Sequence, residues 1–173
     1  MPKRDDEAIE TAFPDETHDH RACVRSSLAA AERICEARGR RLTAQRRQVL
    51  RIIADSHRAI GAYDILERMA SSGRRPAPIT VYRALDFLME NALVHRLASL
   101  NAFVACRGGG HEHGAQFLIC AECGNVGELA SDRVDRAIDA AAASASFRVV
   151  QPIIEVTGVC GDCNDGAPAE QGR

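Results

Sequence analysis

The chain has 173 residues, 46% of them hydrophobic, with seven cysteines and a net charge of −2. That length suits one ordinary domain or two small ones. No apolar run is long enough to span a bilayer, and the start MPKRDDEAIETAF is acidic where a secretory signal is basic and then apolar, so the expected compartment is the cytoplasm. There, cysteines serve as thiolates or metal ligands rather than disulfides. The small net charge conceals three blocks. Residues 1–20 carry two basic and seven acidic side chains, residues 21–100 fifteen Arg against seven acids, and residues 101–173 five Arg against ten acids. Composition bias explains why 21 of the 22 basic residues are Arg, but not why fifteen fall in one segment. A basic block of this kind points to a polyanion, most often nucleic acid.

Residues 1–20 lack apolar periodicity and read as a disordered acidic tail, in which His18 and His20 could bind metal weakly but are more readily solvated. A helical pattern runs from about Cys23 to Arg38 (Cys23, Leu28, Ala31, Cys35) and stops at Gly39. Cys23 and Cys35 read there as small apolar residues. LTAQRRQVLRIIADS is a second helix with Thr43 as N-cap and Val49, Leu50 and Ile53 on one face. AYDILERMASS places Ala62, Ile65, Leu66 and Met69 at helical spacing, and Gly73, Pro76 and Pro78 form a connector. ITVYRALDFLMEN is a further helix, with Thr80 as its cap and Val81, Ala84, Leu85 and Leu88 inward. ALVHRL and NAFVAC are short strands around a turn at Ser99–Asn101. Helices followed by a β-hairpin give the order of a winged helix-turn-helix, whose last helix enters the DNA major groove.

After Gly108–Gly110 the pattern changes. QFLIC and NVGELA read as strands, SDRVDRAIDAAAASAS as an amphipathic helix, and FRVVQPIIEVTG as a strand or strand pair. The fold class is therefore α+β: a winged helix over 21–106, a hinge at 107–112, a small α/β domain over 113–165 and a short tail at 166–173. Below roughly 70–80 residues a domain often needs a metal, a disulfide or a partner subunit to persist.

Cys120-Ala-Glu-Cys123-Gly and Cys160-Gly-Asp-Cys163 are two C-x-x-C knuckles separated by 36 residues. Both sulfurs of such a pair reach one ion, and two pairs complete a tetrahedral thiolate shell around structural Zn²⁺. The gap suits a strand, helix and strand, so the ion would join the domain's first strand to its last. A redox role competes for either knuckle alone. A zinc deaminase needs H-x-E and P-C-x-x-C with a position left for water. Here the order is His111-Glu112-His113, no Pro precedes Cys120, and four thiolates close the shell, which argues against catalysis. Cys106, His95, His111, His113 and Glu128 remain, clustered around the hairpin and the hinge. Four such groups drawn from both domains make a mixed N/S/O site that exists only in one domain arrangement, and a thiolate with imidazoles favours Zn²⁺ over Fe²⁺ or Mn²⁺.

The runs LTAQRRQVLRII, AYDILERM, ITVYRALDFLMENALVHRL and NAFVAC, with the two knuckles, resemble the ferric uptake regulator family and within it the zinc uptake regulator subfamily, over about residues 25–163. The resemblance implies a homodimeric winged-helix repressor with a C-terminal dimerisation domain and two zinc sites per subunit, acting on zinc-uptake genes with zinc as corepressor. By position it implies a structural site at Cys120, Cys123, Cys160 and Cys163 and a sensing site at His95, Cys106, His113 and Glu128, with His111 as a lower-ranked substitute. Iron-sensing members resemble one another in a His-rich run before the first knuckle and a further His on the last strand. This chain has only His111 and His113 in the first place and Gln151–Pro152 near the second, which argues against an iron or peroxide sensor, while Cys106 argues against a same-fold sensor of iron, manganese or peroxide.

For palindromic operator DNA, the residues point to Arg83 as a base contact through guanine O6 and N7, and to Thr80, Tyr82 and several Arg of the basic block as phosphate contacts. Tyr63 resembles the family's second DNA-contacting position.

Overall fold

The computed structural model describes residues 13, 19–71, 73, 76–106 and 115–164. The expectations for the acidic tail before Asp19, the hinge, His111, His113 and the segment from 165 onward lie outside the described residues. The first helix, α1 (His20–Ala37), starts three residues before the position expected from apolar spacing. Asp19 is the reason: its carboxylate accepts a hydrogen bond from the Arg21 N–H at 2.9 Å and caps the helix. The helix buries Leu28, Ala31 and Cys35, and the chain then turns through Gly39 at φ +61°. In α2 (Ala44–Ala54) the Thr43 hydroxyl caps from the N-terminal side, accepting from the Arg46 N–H at 3.4 Å, while Val49, Leu50 and Ile53 are buried. The next helix, α3 (Ala62–Ser71), buries Ala62, Ile65, Leu66 and Met69.

The fourth helix differs from the reading with Thr80 as cap. It is α4 (Pro78–Glu90), with Ala77 at the N-cap and no capping side chain. Pro78 supplies a preset φ at a position where no N–H is needed, so the N-cap lies three residues earlier and Thr80 falls within the first turn. Val81, Ala84, Leu85, Phe87 and Leu88 fill the space against α2 and α3.

β1 (Val94–Leu97) and β2 (Ala102–Ala105) form an antiparallel hairpin, with Val94 opposite Ala105 and Leu97 opposite Ala102. Ile60 extends this ladder by exchanging two backbone hydrogen bonds with Phe103, each 2.9 Å long. Four helices and this wing share one apolar core, and together they make a winged helix.

The second half holds β3 (Ala115–Cys120), β4 (Val126–Leu129), α5 (Asp132–Ser144), β5 (Ile153–Gly158) and the single turn α6 (Gly161–Asn164). Its sheet runs in the order β4-β3-β5, antiparallel between β3 and β4 and parallel between β3 and β5. A parallel pair needs a long crossover, and α5 lies within it. Residues 147–152, expected to begin a strand, are irregular, and the strand starts just beyond Pro152. Proline lacks the N–H a ladder uses, so pairing begins only with the next residue, Ile153.

Three features join the halves. Leu97 and Val104 of the wing pack with Phe117, Ile119 and Val126 of the second sheet in one buried cluster. The Val126 N–H donates to the His57 carbonyl at 2.9 Å, beside a bridge between Arg58 and Asn125. The Glu155 carboxylate on β5 accepts from the Ala98 N–H at 2.7 Å, the Ser99 N–H at 3.0 Å and the Ser99 hydroxyl, holding the tip of the wing. Burial opposes ionisation of Glu155, but the Ser99 and Ala98 donors outweigh it and hold its carboxyl below the usual range.

Candidate metal centres and nucleic-acid face

The first knuckle is built where β3 ends. Cys120 closes the strand, and the Gly124 N–H returns to the Cys120 carbonyl at 3.0 Å. Gly124 takes φ +73°, which a side chain would resist, and this folds Cys123 back toward Cys120. The second knuckle comes after β5, the parallel neighbour of β3, so the two strands deliver their cysteines to the same end of the sheet. Residues 161–164 coil into α6 and turn Cys163 back toward Cys160, closed by the Asn164 N–H on the Cys160 carbonyl at 2.9 Å.

The four sulfurs of Cys120, Cys123, Cys160 and Cys163 all lie within 4.8 Å of one another. Bonds of about 2.3 Å to zinc set a tetrahedral S···S edge of about 3.8 Å. Cys123 and Cys160 stand at 3.7 Å. Backbone N–H groups of Cys123 and Cys160 turned onto the Cys120 sulfur lower its pKa to about 6. Cys163 is pushed up to about 12, first by its hydrogen bond with Cys160 and then by burial and the neighbouring sulfurs. One thiol ionises readily while another resists because negative charge is already present. A dication removes that conflict, and soft thiolate donors at these spacings fit Zn²⁺.

The second donor group is assembled from both halves. His95 lies on β1, Cys106 directly follows β2, and Glu128 lies on β4. One ligand atom from each falls within 4.8 Å of the others. Glu128 Oε1 is 3.7 Å from His95 Nε2 and 3.9 Å from Cys106 Sγ. A tetrahedral zinc sets those edges at about 3.4 and 3.6 Å, so a movement of a few tenths of an ångström would complete three bonds. Phe117 packs its ring 5.2 Å from the His95 ring and limits how far the imidazole can turn. The structure thus brings together three of the four residues of the sensing set. The fourth, His113, and its substitute His111 lie outside the described residues.

On the winged helix, Tyr63 is 75% exposed and Tyr82 42% exposed, with Arg83 exposed beside Tyr82 and Thr80 half-buried in the same first turns of α4. Several arginines of the basic block have intramolecular work instead. Arg40 pairs with Glu90 at 2.8 Å, Arg47 pairs with Glu32, and the Arg46 guanidinium lies 3.4 Å from the Phe87 ring centroid. Part of the local positive charge is therefore neutralised within the fold. Sequence spacing gave no hint of Glu155 or of Phe117 beside His95. A lone carboxylate in the apolar strand IIEVTG is the one signal that marks Glu155.

The sequence model of the Ferric uptake regulator family matches residues 37–157. The chain belongs to the ferric uptake regulator family. Among curated members, the zinc uptake regulation protein of Escherichia coli (strain K12) is 39% identical over 137 residues, covering 79% of this chain and 80% of that protein. Among solved structures, a zinc uptake regulator complexed with zinc and DNA superposes with a TM-score of 0.77 at 38% identity, covering 83% of this chain and 96% of that one. The crystal structure of holo XcZur gives a TM-score of 0.74 at 42% identity, covering 81% and 98%. The ferric uptake regulator family is one of regulators, which sets aside the hydrolase and deaminase readings together with the closed thiolate shell.

Proposed function

We propose that this protein is a zinc-responsive transcriptional repressor that binds operator DNA as a homodimer when its regulatory site is loaded, and that it controls zinc-uptake genes from the cytoplasm. The observation that carries the reading is the placement of His95, Cys106 and Glu128: two from the winged helix and one from the second sheet, within one shell. Such a site forms only while the halves keep this arrangement. Zinc held there supplies bonds between the two halves. The arrangement that binds zinc better is thereby populated, and reciprocally operator DNA tightens zinc binding by the same factor.

In this account each subunit holds two zinc ions, a structural one on Cys120, Cys123, Cys160 and Cys163 and a regulatory one on His95, Cys106, His113 and Glu128. Residues 21–106 are the DNA-binding domain, 107–112 the hinge and 113–165 the dimerisation domain. Arg83 reads base edges, Thr80 and Tyr82 position the helix on the backbone, and Tyr63 on α3 is a second DNA contact. The dimer forms through the second sheet, where β5 is an edge strand and Phe147, Val150, Ile153 and Val156 are exposed apolar residues. A two-fold dimer reads a palindrome. The Cys106 thiolate favours zinc over iron and manganese. The test is a DNA-binding assay across buffered free metal with the structural zinc retained. Zinc should raise operator affinity at the lowest free concentration, and equal or stronger activation by Fe²⁺ or Mn²⁺ would overturn zinc as the sensed metal.

A further inference from the structure

Behind the regulatory donors lies a cavity of about 180 Å³ between α1, the end of α2 and the second sheet. Cys106 and Glu128 line it, and so do Cys23 and His57. Neither Cys23 nor His57 belongs to either donor set described above. His57 is held in place by its own backbone, whose carbonyl accepts from the Val126 N–H at 2.9 Å. The His57 ring meets that of His20 with centroids 4.8 Å apart. His20 and Cys23 stand three residues apart on α1, which puts them on one helix face.

Two imidazoles bound to one tetrahedral ion have ring centroids about 5 Å apart, given metal–nitrogen bonds of about 2.0–2.1 Å. The His20–His57 separation already matches that spacing. The donors N, N and S select a borderline-soft cation such as Zn²⁺ over Mg²⁺, Ca²⁺ or Mn²⁺.

We propose that His20, Cys23 and His57 form a third zinc site, with Cys23 and His57 on the cavity they share with Cys106 and Glu128 and His20 beside the His57 ring. This site is looser than the other two, because its ligand atoms are not gathered into one shell of 4.8 Å as theirs are. His20 is exposed and His57 half-buried, so rotation of their rings can complete the shell. Three protein ligands leave a fourth position for water, and exchange there is faster than at a closed thiolate site. The site fills after the other two and holds zinc beside the regulatory ligands.

The test uses the full chain in the Cys106→Ser background, which removes the regulatory thiolate, with the structural site kept full of zinc. Cobalt(II) is the probe, since it binds more weakly than zinc and leaves the thiolate shell undisturbed. The near-ultraviolet thiolate-to-cobalt charge-transfer band should appear on titration. It should vanish when Cys23→Ser is added. Its midpoint should rise at least tenfold with His57→Ala or His20→Gln. Structural zinc content measured on the same samples reports that each variant is folded. Absence of the band in Cys106→Ser, its survival in the Cys23→Ser double variant, or an unmoved midpoint in both histidine variants would each overturn the third site. Because the regulatory thiolate is absent throughout, this outcome is separate from the fate of the regulatory reading, which rests on DNA binding by the protein with Cys106 intact.

Discussion

Replacing Glu155 isolates the contact between the wing tip and the second sheet. Its carboxylate takes three donors, the Ala98 N–H, the Ser99 N–H and the Ser99 hydroxyl. Glu155 is half-buried, so each hydrogen bond is discounted for solvent to about 0.5–1 kcal/mol, giving about 2 kcal/mol for Glu155→Ala. Glu155→Gln keeps one acceptor oxygen without charge and should lose about half of that. Urea unfolding of the zinc-loaded protein at neutral pH measures both. If the clamp also fixes the orientation that binds DNA, Glu155→Ala weakens operator affinity at saturating zinc by up to about thirtyfold, the equivalent of about 2 kcal/mol. The pH dependence has a definite sign. A carboxyl whose folded pKa is lowered stabilises the fold above its unfolded value of about 4.3, and that stability is lost as pH falls through the folded value. Glu155→Gln should flatten this acid limb. A Glu155→Ala stability within about 0.5 kcal/mol of the parent, the range of an ordinary surface substitution, would show that the clamp contributes nothing.

Cys123→Ser opens the thiolate shell and should cost one zinc per subunit and much of the cooperative unfolding of the second half, read by metal analysis and a thermal scan. Phe117→Ala removes the centre of the cluster shared by the two halves, with an expected loss of about 3–5 kcal/mol. It also frees the His95 ring, so regulatory zinc affinity measured against a competing chelator should fall, whereas Phe117→Leu should retain most of both. Arg83→Ala should weaken specific operator binding by about 1–3 kcal/mol and relax base preference at one position, with zinc stoichiometry unchanged.

The helical half was legible because each helix turns a 3.6-residue apolar stripe toward one core: Val49, Leu50 and Ile53, or Val81, Ala84, Leu85 and Leu88, suffice to place an element and its buried face. Helix starts were less so. Asp19 caps α1 from inside an acidic run, and Pro78 starts α4 where the apolar spacing suggests Thr80. The strand expected over 147–152 failed because FRVV matches β-propensity, yet Phe147 and Val150 are exposed and Pro152 bars the ladder. The cysteine knuckles could be read from spacing alone, since each pair is local and their meeting results from parallel strands. His95, Cys106 and Glu128 could not be paired by spacing; the resemblance singled them out, and tertiary structure supplies their proximity. Glu155 and His57 act across sequence separations that no periodicity records.

The measurement that bears most directly on zinc sensing at the domain junction is operator affinity against buffered free zinc, for the parent and for Cys106→Ser, with structural zinc verified in both. Zinc sensing through Cys106 requires steep zinc-dependent tightening in the parent and its loss in Cys106→Ser, while both retain the same folded dimer. An equal zinc response in the two proteins would contradict it.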